Sequence, residues 1–222
     1  MNQFLDSINV DRIKRTAKAL EKHNMEVHCV PDRTVAVEMI RTLMKKGDTC
    51  AVGGSVTLDE IGALDLLRNG DYVFFDRYAP GLTAEEITDI HRKAFSCDTY
   101  LSSSNAVTED GYLFNVDGGS NRVAAILFGP KQVILVIGRN KIVRDLDAAS
   151  ERVRRIAAPA NARRLHCDTY CAQTGECMAV GSDCFGAGCT SPGRICANFV
   201  VSGPQRTKNR IKIILVDEEL GY

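Results

Sequence analysis

Six cysteines, Cys167, Cys171, Cys177, Cys184, Cys189 and Cys196, crowd into thirty residues near the end of the chain, and His166 adjoins the first. Four thiolates are a complete ligand set for zinc or for an iron–sulfur cluster. The gaps of three, five, six, four and six residues match neither a ferredoxin run nor a zinc finger. The surrounding stretch is rich in Gly, Ser and Thr and poor in apolar residues, so core packing does not explain the thiols. A metal would supply the ordering energy that such a segment lacks. Redox-active thiols, a disulfide or inert thiols are the alternatives. Six candidates exceed four ligands, so at least two cysteines are spare. Cys29, Cys50 and Cys97 fall in or beside expected strands and helices and read as small buried hydrophobes.

Three polar loops carry the remaining chemistry. Gly53-Gly54-Ser55-Val56-Thr57 joins a strand to a helix start, where glycines admit a ligand close to the backbone and free N–H groups can receive an anion. An ordinary tight turn reads the same way. Ser102 to Gly111 gathers small polar groups, among them Asn105 and Thr108, around Glu109, a carboxylate placed as nucleophile, base or plain turn residue. Asn115 to Ala124 brings Asp117, Gly118, Asn121 and Arg122 together. Arg122 could grip a carboxylate or phosphate through two N–H groups, and Asp117 and Asn121 could orient hydroxyls. A Gly-rich turn with a surface arginine is the plain alternative. Asn140-Lys141, directly after a strand, adds a cation at the same rim or a solvated one.

Composition narrows the partners. Lys+Arg and Asp+Glu are both 28 and the net charge is zero, so no electrostatic argument favours nucleic acid. Charged residues begin at once in the first stretch, with no signal-peptide core, and no apolar run reaches membrane-spanning length. A cytoplasmic protein is expected, without a membrane partner, and in that compartment thiols stay reduced.

The elements that must position these groups alternate. Helices are expected over 10–24, 32–46, 57–68, 83–95 and 143–157, and strands over 25–30, 49–52, 72–75, 98–104, 111–116, 131–138 and 211–216. Asp32, Thr57 with Glu60, and Thr83 with Glu86 mark helix starts. This order predicts an α/β fold, a mostly parallel sheet with helices on both faces, in which ligands bind beyond the carboxyl ends of the strands. Two short strands within 98–128 predict a local antiparallel hairpin. Three units follow: an α/β domain over 1–165, a Cys-rich metal-binding insertion over 166–209, and a final strand of the α/β domain within 210–222.

Gly53-Gly54-Ser55-Val56-Thr57-Leu58-Asp59-Glu60-Ile61-Gly62 resembles a signature of the lactate-utilisation (LUD) domain. Asn105 to Gly111 is similar to its second signature. Asn115 to Gly118 with Asn121 to Ala125 is similar to the third, and Gly138, Asn140 to Val143 and Ala157 to Ala162 complete the pattern over nearly the whole chain. The resemblance implies a NagB/RpiA/CoA-transferase-like fold and a place in systems that oxidise L-lactate to pyruvate beside iron–sulfur oxidoreductase subunits. Cysteine-bearing members resemble the tail here, which implies an iron–sulfur cluster, 4Fe-4S in type, on Cys171, Cys177, Cys189 and Cys196, with zinc as the alternative. This chain inserts MAVGSDCFGAG between the two halves, so Cys184 competes with Cys189 as third ligand. Thr108 to Leu113 also resembles the turn that carries the glutamate nucleophile of class I CoA-transferases. That likeness implies catalysis by Glu109, with the Gly53–Ser55 amides as oxyanion donors.

The reading that follows is a subunit or accessory factor of an iron–sulfur L-lactate oxidation system. It binds a small anionic ligand at Gly53, Gly54, Ser55, Thr57, Asn105, Thr108, Asp117, Gly118, Asn121 and Lys141, and a metal centre in the tail. A stand-alone CoA-transferase- or isomerase-like enzyme using Glu109 and Arg122 is the second reading, and a structural zinc protein the third. Homo-oligomerisation is left open.

Overall fold

The computed structural model describes residues 3–184 and 186–222; of Gln3 only the backbone is described. Among the described residues ten strands form two sheets. The larger sheet holds β1 (Glu26–Val30), β2 (Thr49–Val52), β3 (Val73–Phe74), β4 (Thr99–Ser102), β7 (Gln132–Gly138) and β10 (Ile211–Val216) in the order β1-β10-β7-β4-β2-β3. All of its pairings are parallel. The smaller sheet runs β8 (Ile142–Val143), β5 (Ala106–Thr108), β6 (Leu113–Asp117), β9 (Asn198–Ser202), with β5–β6 and β6–β9 antiparallel.

The central strand β7 shows why both faces are covered. Its side chains alternate in direction, as every strand's do. Val133, Leu135 and Ile137 pack with Ile13, Ala17 and Leu20 of α1 (Gln3–Lys22) and with Ala125 and Ile126 of α6 (Asn121–Leu127). Ile134 and Val136 pack on the other side with Ala36 and Ile40 of α2 (Arg33–Leu43), Leu58 of α3 (Val56–Glu60) and Leu66 and Leu67 of α4 (Ala63–Asn69). A near-continuous apolar strand is what two covered faces require. The smaller sheet is also covered on both sides: Val107 and Leu113 join the first cluster. Ala106, Phe114 and Val116 meet Ala149, Val153 and Ala157 in a third cluster.

The expected α/β architecture therefore holds, with local differences. The expected helix 57–68 is two helices, broken where Gly62 takes φ 77°. Its cap is Ser55, which accepts from the Leu58 N–H, and not Thr57, which is fully buried. Glu60 instead accepts from the Gly221 N–H at 2.7 Å. The caps at Asp32 and Thr83 form as expected, the latter as a complete capping box on α5 (Ala84–Lys93). The expected strand 98–104 is β4 alone; the hairpin forms instead between β5, which lies beyond that range, and β6 in the second sheet. The helix expected over 143–157 comprises α7 (Leu146–Arg152) and a π-helical segment, Val153–Ala157, and the helical path continues as α8 (Ala158–Arg164). Pro159 lacks an N–H and its ring crowds the carbonyl four residues back, so the wider π turn relieves the conflict at Arg155.

Cys50 and Cys97 are buried as expected, whereas Cys29 is exposed. Cys29 sits on β1, an edge of the larger sheet, where one side of the strand lacks a cover. No helix among the described residues is long and apolar enough to cross a membrane.

Candidate functional site: a cationic cleft beside a cysteine pocket

A cleft of about 240 Å³ opens at the carboxyl ends of the parallel strands. Gly54, Ser55 and Val56 enter from the β2–α3 turn and Arg77 from the turn after β3. Ser103, Ser104 and Asn105 follow β4, and Lys141 ends the 3₁₀ turn after β7. Asp117, Gly118, Gly119, Asn121 and Arg122 come from the β6–α6 loop. The far wall is Val153, Ala157, Ala158, Asn161, Arg164 and Leu165, with Ile195, Cys196 and Tyr222. This position, outside the strand ends of an open α/β sheet, is where ligands of such folds bind.

Lys141 is the floor. Its side chain crosses beneath two neighbouring strand ends, and its Nζ donates to Thr57 Oγ1 at 2.7 Å and to Ser103 Oγ at 3.1 Å. The residue is only 3% exposed. Among the described residues no carboxylate forms an ion pair with it. Burial, reinforced by the Arg152 and Arg122 charges and opposed by Glu60, brings its pKa down to about 7. Lys141, expected as a rim cation for an anionic ligand with a solvated strand-end lysine as the alternative, is a buried amine lining the cleft.

Arg122 has a different role from the expected one. Its Nη1 donates to Ser103 O and Asn115 Oδ1, its Nη2 to Asn105 Oδ1 and Val116 O, and its Nε faces Asp117 Oδ2 at 3.5 Å. Both Nη groups are fully committed to protein and Nε lies in ion-pair range of Asp117, so the guanidinium ties the loop after β4 to strand β6 and has no free fork for a ligand. Asp117 is committed too, accepting from the Ser120 and Val123 N–H groups. Asn105 accepts from Val116 N–H and, through its carbonyl, from Arg152.

Gly53 lies behind the cleft wall. A Cβ there would stand 2.7 Å from Ser102 Oγ and 2.9 Å from both Arg122 Cγ and Tyr100 Oη, so the glycine lets the arginine strut pass. Gly118 serves the same end toward the tail, where a Cβ would meet the Ile195 backbone at 3.2 Å. Thr108 and Glu109 stand apart from the cleft. Thr108 Oγ1 bonds Asp110, and Glu109 pairs with Arg12 at 2.8 Å and Arg15 at 3.5 Å on the α1 side.

Arg77, Arg164, Asn161 and Tyr222 were not anticipated. Arg77 stacks on Tyr78 and, among the described residues, forms no ion pair. Arg164 donates to Tyr222 Oη and Asn161 Oδ1. The signals were present: Arg77 follows an expected strand, and Arg164 ends the helix that carries the Ala157 to Ala162 run. Four cations, Arg77, Arg122, Lys141 and Arg164, line the cleft against one carboxylate, Asp117, which already has its partners.

A smaller cavity, of about 30 Å³, adjoins it and is lined by Cys171, Cys177, Cys189 and Cys196 together with Val153, Ala158, Met178, Ile195 and Phe199. Cys167 and Cys184 do not line it. Burial and the neighbouring Cys171 and Cys177 push the Cys196 thiol up to about 12. Burial also acts on Cys189, but hydrogen bonds at Ser191 and the Arg194 charge hold its pKa below the usual thiol value. Guanidinium–carbonyl bonds order the loops around the cavity. Arg154 donates to Ser182 O and Cys184 O, and Arg194 to Cys189 O and Cys196 O. Among the described residues no three His, Cys, Asp or Glu side chains converge on a single ion position. Cys196 and Ile195 line both cavities.

Comparison with known proteins places these features in a family. No curated protein matches the sequence. Among solved structures, the crystal structure of a DUF162 family protein from Deinococcus radiodurans matches with a TM-score of 0.51 at 13% identity, covering 94% of this chain and 98% of that one, which supports the fold. The LUD domain model matches residues 13–216. With the model spanning most of the sequence, the chain belongs to the lactate-utilisation (LUD) domain family.

Proposed function

We propose that this chain is a subunit or accessory factor of an iron–sulfur L-lactate oxidation system, with a small carboxylate or phosphate bound in the cationic cleft. The family supports a lactate-utilisation role in general, and the residues support the finer reading. One observation carries it: Cys196, one of four thiols around the second cavity, also lines the cleft floored by Lys141. A redox centre on those thiols would border the ligand directly.

The donor set fits an iron–sulfur centre. Four cysteines line one mostly apolar cavity, and Cys167 and Cys184 do not line it. Thiolates closing on a single zinc ion would each approach it to about 2.3 Å. Four thiolates serve an iron–sulfur cluster as well as zinc; the likeness of the tail to cysteine-bearing family members favours the cluster. When bound, such a cluster supplies one-electron transfer. The chain's own residues bind the anion at Lys141, Arg77 and Arg164, and Arg122 fixes the neighbouring loop after β4 against β6. The apolar wall of Val153, Ala157 and Ala158 limits water. Iron–sulfur oxidoreductase subunits are the partners this reading requires.

Anaerobic purification followed by iron and acid-labile sulfide analysis tests the centre. Iron with matching sulfide is expected; stoichiometric zinc, or neither metal, overturns it. Lactate oxidation is expected only when partner subunits are added. Full activity from this chain alone would contradict the accessory role.

A further inference from the structure

We infer that Lys141 forms a reversible imine with a small anion that carries a ketone or aldehyde, a 2-oxo acid or a phosphorylated aldehyde. The inference rests on the cleft being an anion site and names the substrate class of that site.

Three observations lead to it. Lys141 follows β7, its Nζ bonds residues that follow the neighbouring strands β2 and β4, and it lines the cleft at the ends of these strands. Its two hydrogen bonds go to the hydroxyls of Thr57 and Ser103, not to carboxylates. A neutral amine has two hydrogens; donating them to two oxygen acceptors directs its lone pair away from both. Arg77 and Arg164 sit at the cleft wall and receive the anionic end, leaving the carbonyl carbon for the amine. Burial and the Arg152 and Arg122 charges, opposed by Glu60, bring the amine's pKa down to about 7, so an unprotonated fraction is present near neutrality. Desolvation next to other cations is how a lysine becomes a nucleophile.

The step balances without a further reactant. The amine electron pair forms the C–N bond while the C=O π pair moves to oxygen, which takes a proton as the nitrogen loses one. The resulting carbinolamine expels its hydroxyl as water on taking up a proton. Amine, carbonyl compound and one proton thus give a protonated imine and one water. Nothing is oxidised or reduced.

The test is borohydride trapping on the full-length protein with pyruvate in one arm and glyceraldehyde phosphate in the other. Borohydride converts the imine to a stable secondary amine, read by intact mass and located by peptide mapping. One adduct on Lys141 in either arm is expected, and the arm that labels identifies the anionic group. Lys141→Arg and Lys141→Met are expected to lose it. Label on other lysines, or undiminished label in both variants, overturns the inference. Calorimetry with the same compounds separates the two levels: binding without an adduct overturns the imine but keeps the anion cleft, and absence of binding overturns both. Because the wild-type peptide map stands alone, a variant that fails to fold does not decide the outcome.

Discussion

Lys141 and Thr57, 84 positions apart, are joined by a 2.7 Å hydrogen bond inside the protein. The bond ties the turn after β7 to the helix after β2, so the cleft floor exists only when both strands are in place. Thr57→Val keeps the shape and removes the acceptor. A buried donor left without a partner costs about 1–3 kcal/mol. Denaturant unfolding is expected to show a loss in that range, and Thr57→Ser is expected to recover most of it.

The same lysine sets a pH dependence. Its folded pKa, about 7, lies below the unfolded value, so between the two the unfolded chain binds more protons and stability rises with pH. Below about pH 7 both states carry the charge, and its burial is a full penalty. Relative to Lys141→Met, the wild type is expected to gain stability from neutral to alkaline pH, measured as the difference in unfolding midpoints. Affinity for simple anions runs the other way, falling as pH rises through about 7. A flat difference between the two proteins would show that this amine does not titrate in the window.

Gly53 and Gly54 are adjacent and differ in what they tolerate. Gly53→Ala drives a methyl into Ser102, Arg122 and Tyr100 and is expected to cost about 1–3 kcal/mol by thermal unfolding. At Gly54 the closest atom to a new methyl is Tyr78 Oη at 3.8 Å, so Gly54→Ala is expected to fold with near wild-type stability.

The four cavity thiols and the two outside it give a paired comparison. Serine at Cys171, Cys177, Cys189 or Cys196 is expected to lower bound iron severalfold, and serine at Cys167 or Cys184 to leave it unchanged. Iron loss on replacing Cys184, with retention on replacing Cys189, would reverse the assignment of the third ligand.

Glu109 provides a negative test. Its carboxylate is partly exposed and pairs with Arg12 and Arg15 outside the cleft. Glu109→Gln is expected to cost at most about 1 kcal/mol, as exposed pairs do, and to leave anion affinity unchanged. A large loss of ligand binding would bring the carboxylate back into the site.

The strand–helix alternation, the caps at Asp32 and Thr83 and the set of chemically capable loops were legible in the sequence, because periodicity, capping and glycine turns are local effects. The four cavity cysteines were legible only through likeness to a family. What the residues alone did not determine was which groups remain free once neighbours are packed. Arg122 looked like a ligand clamp, but its donors are taken by carbonyls and amides from loops up to 19 positions away. Lys141 was legible as a rim cation, but not its burial, which groups remote in sequence impose. Cys29 looked buried, but its strand lies at a sheet edge. Local sequence dictates backbone conformation and side-chain chemistry. Burial, charge state and donor availability depend on groups brought near only by sheet order and loop packing, and these the tertiary structure decided.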